Sequence, residues 1–253
     1  MPQLTFLGTG TSQGVPIIGC HCSVCTSKNP KNKRLRTSVL IEDQQTKIVI
    51  DAGPDFRYQM LKENIDSIDA ILITHPHRDH VGGLDDIRPF NYYQQKPMPL
   101  YGSALSLKGL QDTIPYAFSP YHYPGSPEFE LHPIEDQAFH INEIEILPIE
   151  VMHYKMPISA YRFGDLTYIT DAKYISENSI RKIKGSKILI VNALRKEPHL
   201  SHFCIQDALE FINRIHPEKA YLTHIGHTLE NEQINKELPS NVQLAYDGLC
   251  LNF

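Results

Sequence analysis

The chain has 253 residues, of which 24 are Lys or Arg and 29 are Asp or Glu, so its net charge at neutral pH is −5. This length suits one α/β domain, and we expect residues 1–253 to form a single domain. The acidic balance disfavours nucleic acid as a partner. The apolar runs fall short of the ~20 residues of a membrane-spanning helix, so no membrane association is expected. The glycine-rich opening does not resemble a secretory signal, which predicts a cytoplasmic protein.

The first eighty residues are predicted to be mainly β-structure. Residues 3–10 predict a strand that runs into a glycine-rich turn, and three β-branched runs follow at 37–43, 46–53 and 70–77. Residues 55–63 carry apolar side chains at helical spacing, which predicts a short helix capped by Asp55. Turn-forming residues such as glycine and proline separate these elements.

The second half repeats this order of strands followed by a helix. Strands are predicted within 144–153, 159–171, 187–194 and 219–226, a helix within 204–217, and a final strand or hairpin within 242–253. Strand blocks in both halves, each followed by helices, predict an α/β fold in which two sheets pack face to face with helices outside.

The segment from Asn91 to His140 is rich in Tyr and Pro and has the least regular pattern. We interpret it as an excursion over the surface. The alternative is a binding loop or lid, because long irregular segments in compact domains often bind ligands.

Four residues with metal-binding side chains follow one predicted strand in the sequence "ILITHPHRDHVGG". The strand ends at Thr74, and His75, His77, Asp79 and His80 come within the next six residues. Donors that leave one strand end can converge on one place, and nitrogen and carboxylate donors suit Zn, Mn or Fe. The spacing therefore predicts a metal site.

Three of the five cysteines, Cys20, Cys22 and Cys25, fall within six positions. In a reducing compartment, clustered cysteines more often bind metal than form disulfides. His21 lies between two of them and is one candidate for a fourth ligand.

The histidine motif, together with His153 in "VMH", Asp171 in "ITDA" and His224 in "LTHIGH", resembles the metallo-β-lactamase fold of dinuclear metallohydrolases. The resemblance implies an αββα sandwich with two mixed sheets. It also implies that His75, His77 and His153 hold one divalent metal, that Asp79, His80 and His224 hold the other, and that Asp171 bridges them. Zn or Mn is expected there, with Fe as a third choice. Asp51 resembles the family's buried Asp that supports a metal-binding histidine.

Residues 8–25, "GTGTSQGVPIIGCHCSVC", resemble the N-terminus of the PhnP-type phosphodiesterases, which hydrolyse a phosphoribosyl cyclic phosphate. The resemblance implies a structural zinc held by Cys20, Cys22, Cys25 and His227. It also implies that His202 is a catalytic acid, with His199 as the alternative proton donor.

The expected function is metal-dependent hydrolysis of a small or cyclic phosphodiester, with Asp79, Asp171 and His202 as catalytic residues. The substrate would be a small molecule, and the oligomeric state is open, a homodimer included. Three alternatives remain on the same fold: a thioester or lactone hydrolase, a tRNA 3′-processing nuclease, and a non-catalytic binding protein such as those of pyrroloquinoline quinone formation.

Two further patterns receive a structural interpretation. The basic run is interpreted as a solvated loop face, with attraction of an anionic substrate as the alternative; it comprises Lys28, Lys31, Lys33, Arg34 and Arg36. Cys204 and Cys250 are isolated in the sequence and are expected to be core thiols.

Overall fold

The computed structural model describes residues 1–119, 121 and 123–253, and within them the chain forms two sheets of seven strands. The strands of the first sheet are β1 Gln3–Gly8, β2 Ser38–Asp43, β3 Thr46–Ile50, β4 Ala70–Leu72, β5 Met98–Gly102, β6 Phe129–Pro133 and β14 Cys250–Asn252. Those of the second sheet are β7 Phe139–Ile141, β8 Ile144–His153, β9 Met156–Phe163, β10 Leu166–Tyr168, β11 Ile188–Asn192, β12 Lys219–Thr223 and β13 Val242–Leu244.

Each sheet is antiparallel in one half and parallel in the other. The first sheet has the order β14-β1-β2-β3-β4-β5-β6 and becomes parallel from β3 onwards. The second has the order β13-β12-β11-β10-β9-β8-β7 and is parallel from β10 to β13. Parallel neighbours put the carboxyl ends of their strands at one edge of the sheet, which is where binding residues commonly collect.

Seven α-helices occur among the described residues. They are α1 Phe56–Lys62, α2 Arg78–Val81, α3 Arg88–Gln94, α4 Ala104–Thr113, α5 Glu177–Ile183, α6 Ile205–Ile215 and α7 Asn231–Glu237. None of these helices has the length and apolar composition needed to cross a bilayer.

The alternation of side chains along the strands separates three apolar layers. Val39 and Ile41 of β2 face the second sheet and pack in the layer that contains Tyr161 and Phe163. Leu40, between them, points to the opposite side, where α1, α3 and α4 cover the first sheet. On the far side, α5 and α6 pack on the second sheet. Because both faces of each sheet are covered, its strands are apolar at successive positions. The prediction of an αββα sandwich is confirmed.

The prediction of a surface excursion from Asn91 to His140 is wrong for most of that segment. It supplies β5 and β6 to the first sheet and β7 to the second, and α4 lies between β5 and β6. The residues of β5 pair in parallel with β4 on one side and β6 on the other. Its register therefore comes from neighbouring strands rather than from its own Pro- and Tyr-rich sequence. Pro120 and His122 lie outside the described residues.

The last twelve residues form neither one strand nor a hairpin. β13 pairs with β12 at the edge of the second sheet, whereas β14 pairs with β1 at the edge of the first. The chain thus passes from one sheet to the other through residues 245–249. Cys204 is buried as expected, but Cys250 on the edge strand β14 is exposed, so its prediction as a core thiol is wrong.

The basic run is not uniformly a solvated loop face. Arg34 is only 2% exposed, and Arg36 forms an ion pair with Asp55 at 2.9 Å. Asp55 does precede α1, but its carboxylate makes no capping hydrogen bond to the helix. It accepts instead from the backbone N–H of Arg36 at 2.8 Å. The tertiary contact with Arg36 has replaced the local cap.

Candidate functional site

The predicted metal-binding residues lie at strand ends on one edge of the sandwich. His75 follows β4, His153 ends β8, Asp171 follows β10 and His224 follows β12 directly. Asp171 and His224 both have a backbone φ of +54°. That conformation disfavours side chains other than glycine, so the fold must hold it in place, as is typical of functional sites.

Helix α2 brings Asp79 and His80 to the same edge. The loop after β3 approaches this helix so closely that a Cβ on Gly53 would lie 2.0 Å from the carbonyl oxygen of Asp79. The backbone N–H of Ala52 donates to the carbonyl of His80 at 2.8 Å. Glycine at position 53 therefore permits the contact that fixes the helix carrying two of the candidate ligands.

Asp51 orients His80 from behind the site. The fully buried carboxylate accepts from His80 Nδ1 at 2.6 Å, from the backbone N–H of Thr74 at 2.8 Å and from the Thr74 hydroxyl at 2.8 Å. Since Nδ1 of His80 donates to Asp51, Nε2 of the same ring is the nitrogen left for a metal, and it faces the other candidate ligands. This geometry agrees with the predicted supporting role of Asp51.

His75, His77 and His153 form the first donor group, with one ring nitrogen of each within 4.8 Å of the others. Nε2 of His75 lies 3.0 Å from Nδ1 of His77. His153 donates from Nδ1 to the carbonyl oxygen of Ser201 at 2.9 Å, which leaves the lone pair of its Nε2 for a metal. The structure thus brings together the three residues predicted to hold one metal.

Asp79, His80, Asp171 and His224 form the second donor group. His80 Nε2 lies 3.3 Å from Asp79 Oδ2 and 3.4 Å from Asp171 Oδ2, and Asp171 Oδ2 lies 3.2 Å from His224 Nδ1. Among the described residues, the buried Nε2 of His80 has no hydrogen-bond partner. An orphaned ring nitrogen that faces two carboxylates fits a divalent cation, because nitrogen and oxygen donors suit Zn and Mn.

Burial and mutual charge shift the pKa values of these groups strongly. Burial lowers the pKa of His75 well below its usual value and lowers that of His224 to about 4, so both rings are neutral near pH 7. Burial would also lower the pKa of His80, but the carboxylates of Asp171 and Asp51 outweigh it and raise that pKa. Burial disfavours the Asp171 carboxylate, yet His224 and His80 hold its pKa well below the usual range. Strongly perturbed groups in one place are typical of functional sites.

His202, and not His199, faces this cluster directly. His202 Nε2 lies 3.0 Å from Asp171 Oδ1, whereas His199 lies behind it with Nδ1 3.2 Å from Nδ1 of His202. The ring of His202 stacks on that of His224 with centroids 5.0 Å apart. His153, Asp171 and His202 also place donor atoms within 4.8 Å of one another. His202 can therefore either transfer a proton at this position or contribute a nitrogen ligand.

Cys20, Cys22, Cys25 and His227 form a separate donor cluster. The sulfur atoms of the three cysteines, taken in chain order, lie 3.3, 3.5 and 3.6 Å from Nδ1 of His227. A tetrahedral zinc with three thiolates and one imidazole has a sulfur-to-nitrogen separation of about 3.5 Å, so the four donors fit zinc. His21 is exposed and outside this cluster.

Backbone N–H groups support the thiolates of this cluster. The N–H of Cys25 donates to the sulfur of Cys22 at 3.4 Å, and the N–H of Ile17 donates to that of Cys25 at 3.4 Å. The first of these bonds lowers the pKa of Cys22 to about 6, while burial raises that of Cys25 to about 11. Metal ligation requires the thiolate form, which these donors favour at Cys22.

Several supporting residues escaped the sequence prediction. Thr74 accepts from His75 Nδ1 at 2.9 Å while its own hydroxyl donates to Asp51, and the Thr37 hydroxyl lies 3.3 Å from Nδ1 of His224. Thr74 could have been found, since it directly precedes His75 at the strand end. Nothing in the sequence marks Thr37 or the carbonyl of Ser201, because their roles depend on contacts between distant segments.

The fold and the strand-end donors define the class of the protein. The profile of the beta-lactamase superfamily domain matches residues 46–225, and the chain belongs to that superfamily. Within it the protein is PhnP-like. It superimposes on the crystal structure of a diphosphatase of the PhnP family with a TM-score of 0.94 and 38% identity, over 100% of this chain and 98% of that one.

Two further relatives extend the comparison. The chain is 39% identical to an octanoyltransferase of Porphyromonas gingivalis over 247 residues, which are 96% of this chain but 50% of that protein. It therefore spans about half the length of that relative. Zn(2+)-bound PqqB from Methylobacterium extorquens has the same fold, with a TM-score of 0.81 at 18% identity over 99% of this chain and 100% of that one.

Proposed function

We propose that this protein is a dinuclear metal-dependent phosphodiesterase that acts on a small or cyclic phosphodiester. The observation that carries the proposal is the position of Asp171. Its carboxylate lies 3.4 Å from a ring nitrogen of His80, 3.0 Å from one of His202 and 3.2 Å from one of His224. One carboxylate shared by candidate ligands and a candidate proton donor is the arrangement that hydrolysis at such a site needs.

The residues present fit two divalent cations. His75, His77 and His153 would hold one, Asp79, His80 and His224 would hold the other, and Asp171 would lie between them. Bound divalent metals lower the pKa of water and stabilise charge on phosphoryl oxygens. The nitrogen and oxygen donors accept Zn, Mn or Fe.

The side chains around Asp171 handle the protons of the reaction. Asp79 and Asp171 would accept hydrogen bonds from the attacking water and orient it towards phosphorus. His202, held through Nε2 by Asp171 at 3.0 Å, would donate the Nε2 proton to the departing oxygen. A new P–O bond from water would replace the ester P–O bond, and the leaving oxygen would take the proton of His202 and depart as a neutral hydroxyl. The proton that the water loses would return to His202 through the Asp171 carboxylate, 3.0 Å away.

Turnover assays test this proposal with bis(p-nitrophenyl) phosphate and a ribose cyclic phosphate. Metal-loaded protein should release p-nitrophenol and open the cyclic ester, while the metal-stripped protein should not. Equal rates in the two preparations would remove the proposal. The net charge of −5 supports a small anionic substrate over nucleic acid, because the protein lacks the basic surplus that nucleic-acid binding needs.

Hydrolysis of a diphosphate bond is the second candidate. It rests on the 38% identity with a PhnP-family diphosphatase, which covers 98% of that structure. Attack of water on phosphorus is common to both reactions, and only the leaving group differs, a phosphate in place of an alkoxide. A nucleoside diphosphate sugar and a ribose cyclic phosphate, assayed side by side, distinguish them. A kcat/KM at least tenfold higher for the first would favour the diphosphatase.

The Porphyromonas gingivalis relative calls for a separate assay of acyl groups. Since this chain matches only half of that protein, we propose that octanoyl transfer belongs to the unmatched half. We expect neither transfer nor hydrolysis of an octanoyl thioester by this chain. Thioester turnover faster than phosphodiester turnover would instead favour the thioester hydrolase.

The cysteine cluster would hold a structural zinc. Three thiolates and one imidazole complete a tetrahedral set and leave no position for substrate. Because Cys20 and His227 are 207 residues apart in sequence, this zinc would tie the N-terminal loop to the loop after β12.

A further inference from the structure

Arg34 is among the most deeply buried large side chains of the protein. It is 2% exposed, although it belongs to a basic run that the sequence places in a loop. Its backbone exchanges two hydrogen bonds of 2.8 Å with Val15, so it lies beside the loop that carries the three clustered cysteines. A guanidinium is seldom buried in this way unless it has specific partners.

The guanidinium holds the loop after β12 by its main chain. Nη1 donates to the carbonyl oxygen of Gly226 at 3.4 Å, and Nη2 donates to that of Leu229 at 2.8 Å. These two carbonyls lie on either side of His227, whose ring belongs to the cysteine cluster. Gly226 also follows His224, the candidate ligand of the catalytic cluster, by two residues. Both histidines thus depend on one short loop that Arg34 contacts at two points.

Asn32 extends the same contact to the cysteine loop. Its Oδ1 accepts from Arg34 Nη2 at 3.2 Å and from the backbone N–H of Asn231 at 2.9 Å. Its Nδ2 donates to Glu230 at 2.6 Å and to the hydroxyl of Ser27, two residues after Cys25, at 3.1 Å. Arg34 and Asn32 therefore form one polar bridge between the two loops.

The loop after β12 has little freedom on its other side. The backbone N–H of Gly226 donates to the carbonyl of Leu194 at 2.9 Å, and a Cβ on Gly226 would lie 2.7 Å from that oxygen. The N–H of Ile225 donates to the carbonyl of Thr9 at 2.8 Å. The loop is thus held between Leu194 and Thr9 on one side and Arg34 on the other. A change in the position of the Arg34 side chain would therefore move the backbone that carries His224 and His227.

Stability alone does not account for a buried arginine at this position. Burial lowers the pKa of Arg34 to about 10, with Asp247 and Glu230 opposing the shift, so the side chain stays charged at neutral pH. Among the described residues, its buried Nε has no hydrogen-bond partner. Burying a charge with an unmet donor is costly, and an apolar side chain of similar volume is often as stable in such a place.

We propose that Arg34 is a positioning residue that sets the separation of His224 and His227, and so places one ligand of each metal centre. Among the described residues, its guanidinium makes no hydrogen bond to a side chain of either cluster, and it acts through the carbonyls of Gly226 and Leu229. The catalytic half of this inference rests on the proposed phosphodiesterase function, whereas the cysteine-cluster half does not.

The test compares Arg34→Met and Arg34→Lys with a matched control, Arg162→Met. Arg162 also donates to three backbone carbonyls, those of Gly164, Lys182 and Lys184, at 2.8, 2.6 and 2.9 Å. Those carbonyls lie outside the metal-binding loops. All three variants lose main-chain hydrogen bonds, so the melting temperature of each is measured first and sets the temperature of the assays.

Two readouts separate positioning from simple stabilisation. Metal-stripped protein is titrated with Co²⁺, whose absorption on thiolates reports occupancy of the cysteine cluster. Then kcat and KM for bis(p-nitrophenyl) phosphate are measured at saturating metal, well below each melting temperature. Arg34→Met should weaken thiolate-bound Co²⁺ and lower kcat, each by about 10–100-fold, with KM little changed. Arg34→Lys should recover part of both losses, and Arg162→Met should change neither.

An Arg34→Met protein that loses only melting temperature, as Arg162→Met does, would overturn the proposal. A loss in Co²⁺ affinity with unchanged kcat would overturn its catalytic half. If the wild type fails to hydrolyse phosphodiesters, the proposed function fails, and the Co²⁺ titration still decides the role of Arg34 at the cysteine cluster.

Discussion

Each of the two donor clusters takes one histidine from the same loop, His224 or His227, yet the clusters differ in their donor atoms and in the elements that supply them. The cluster at Asp171 is built from nitrogen and oxygen donors at strand ends and on α2, and its candidate ligands include carboxylates that lie beside His202, the candidate proton donor. The cluster at His227 contains three sulfurs and one nitrogen, all from loops. Catalytic zinc sites commonly use nitrogen and oxygen donors and keep one position open for water, whereas closed sulfur-rich sets are commonly structural.

One loop can present a candidate ligand to each cluster because its backbone is held by contacts outside both clusters. His224 turns inward against Asp171, and His227 turns outward against the cysteines. The loop between them is fixed by Thr9, Leu194 and Arg34. Disruption of one cluster should therefore leave the other largely functional, and the following predictions test that separation.

The largest effect is expected from Asp171→Asn. The substitution removes a charge that lies against three histidines, so turnover of bis(p-nitrophenyl) phosphate should fall by about 10⁴-fold or more, as for a residue that acts as part of a unit. Metal analysis should show that the zinc of the cysteine cluster is retained. Asp165→Asn, at a surface ion pair with Lys187, is the matched control and should behave as wild type. Retained activity in Asp171→Asn would contradict the assignment.

His202→Ala should lower kcat by about 10²–10⁴-fold, because it removes the proposed proton donor. The metal content per chain should stay unchanged, which mass spectrometry of the purified protein measures. His199→Ala should have a much smaller effect, since His199 lies behind His202. Loss of metal in His202→Ala would make His202 a ligand, and a larger effect of His199→Ala would make His199 the donor.

Cys22→Ser should affect stability before activity. The variant should lose one zinc and about 10 °C of melting temperature, which corresponds to about 3 kcal/mol in a chain of this size. Its kcat at low temperature should remain within about threefold of wild type, because Arg34 still holds the loop of His224. Cys250→Ser, at an exposed thiol, is the control and should change neither. If the fully folded Cys22→Ser protein had a kcat far below that of wild type, the two clusters would not be independent of each other.

The smallest effect is expected at Asp247, which joins the segment that contains Thr9 to the segment that contains Leu35. Its carboxylate accepts from the Thr9 hydroxyl and from the backbone N–H of Leu35, each at 2.7 Å. Burial raises its pKa from 3.8 to about 6. Because the folded-state pKa is raised, the stabilising contribution is full below pH 3.8 and is lost as pH rises through 6.

Asp247→Asn should remove this pH dependence. Between pH 4.5 and 7 the wild type should lose about 2 kcal/mol of unfolding free energy relative to the variant, as urea unfolding of both proteins measures. The difference between the two proteins cancels the titration of other groups. A constant difference across this range would show that Asp247 is ionised throughout.

The local sequence predicts much of the donor cluster around Asp171. His75, His77, Asp79 and His80 leave one strand end within six residues, so their proximity follows from local geometry alone. The resemblance to the metallo-β-lactamase fold then indicated the distant partners His153, Asp171 and His224, and the resemblance to PhnP-type proteins indicated His227; the fold brings each of them to its predicted cluster. Their roles as ligands stay predictions.

The errors share a physical cause. Residues 98–102 form β5 because β4 and β6 supply its hydrogen bonds, and residues 242–253 divide between two sheets because different edge strands accept their ends. Asp55 pairs with Arg36 instead of capping α1. In each case a contact with a distant segment outweighed a local preference of smaller energy.

Residue types and their spacing were enough to predict two kinds of donor set, one sulfur-rich and one histidine-rich, and two covered sheets, because donor chemistry and side-chain alternation are properties of the local sequence. Tertiary structure alone decided that His202 rather than His199 faces Asp171, and that Arg34 is buried against the loop of His224 and His227. Burial and hydrogen-bond partners between segments some 190 residues apart depend on how the strands are ordered in space, and no local pattern encodes that order.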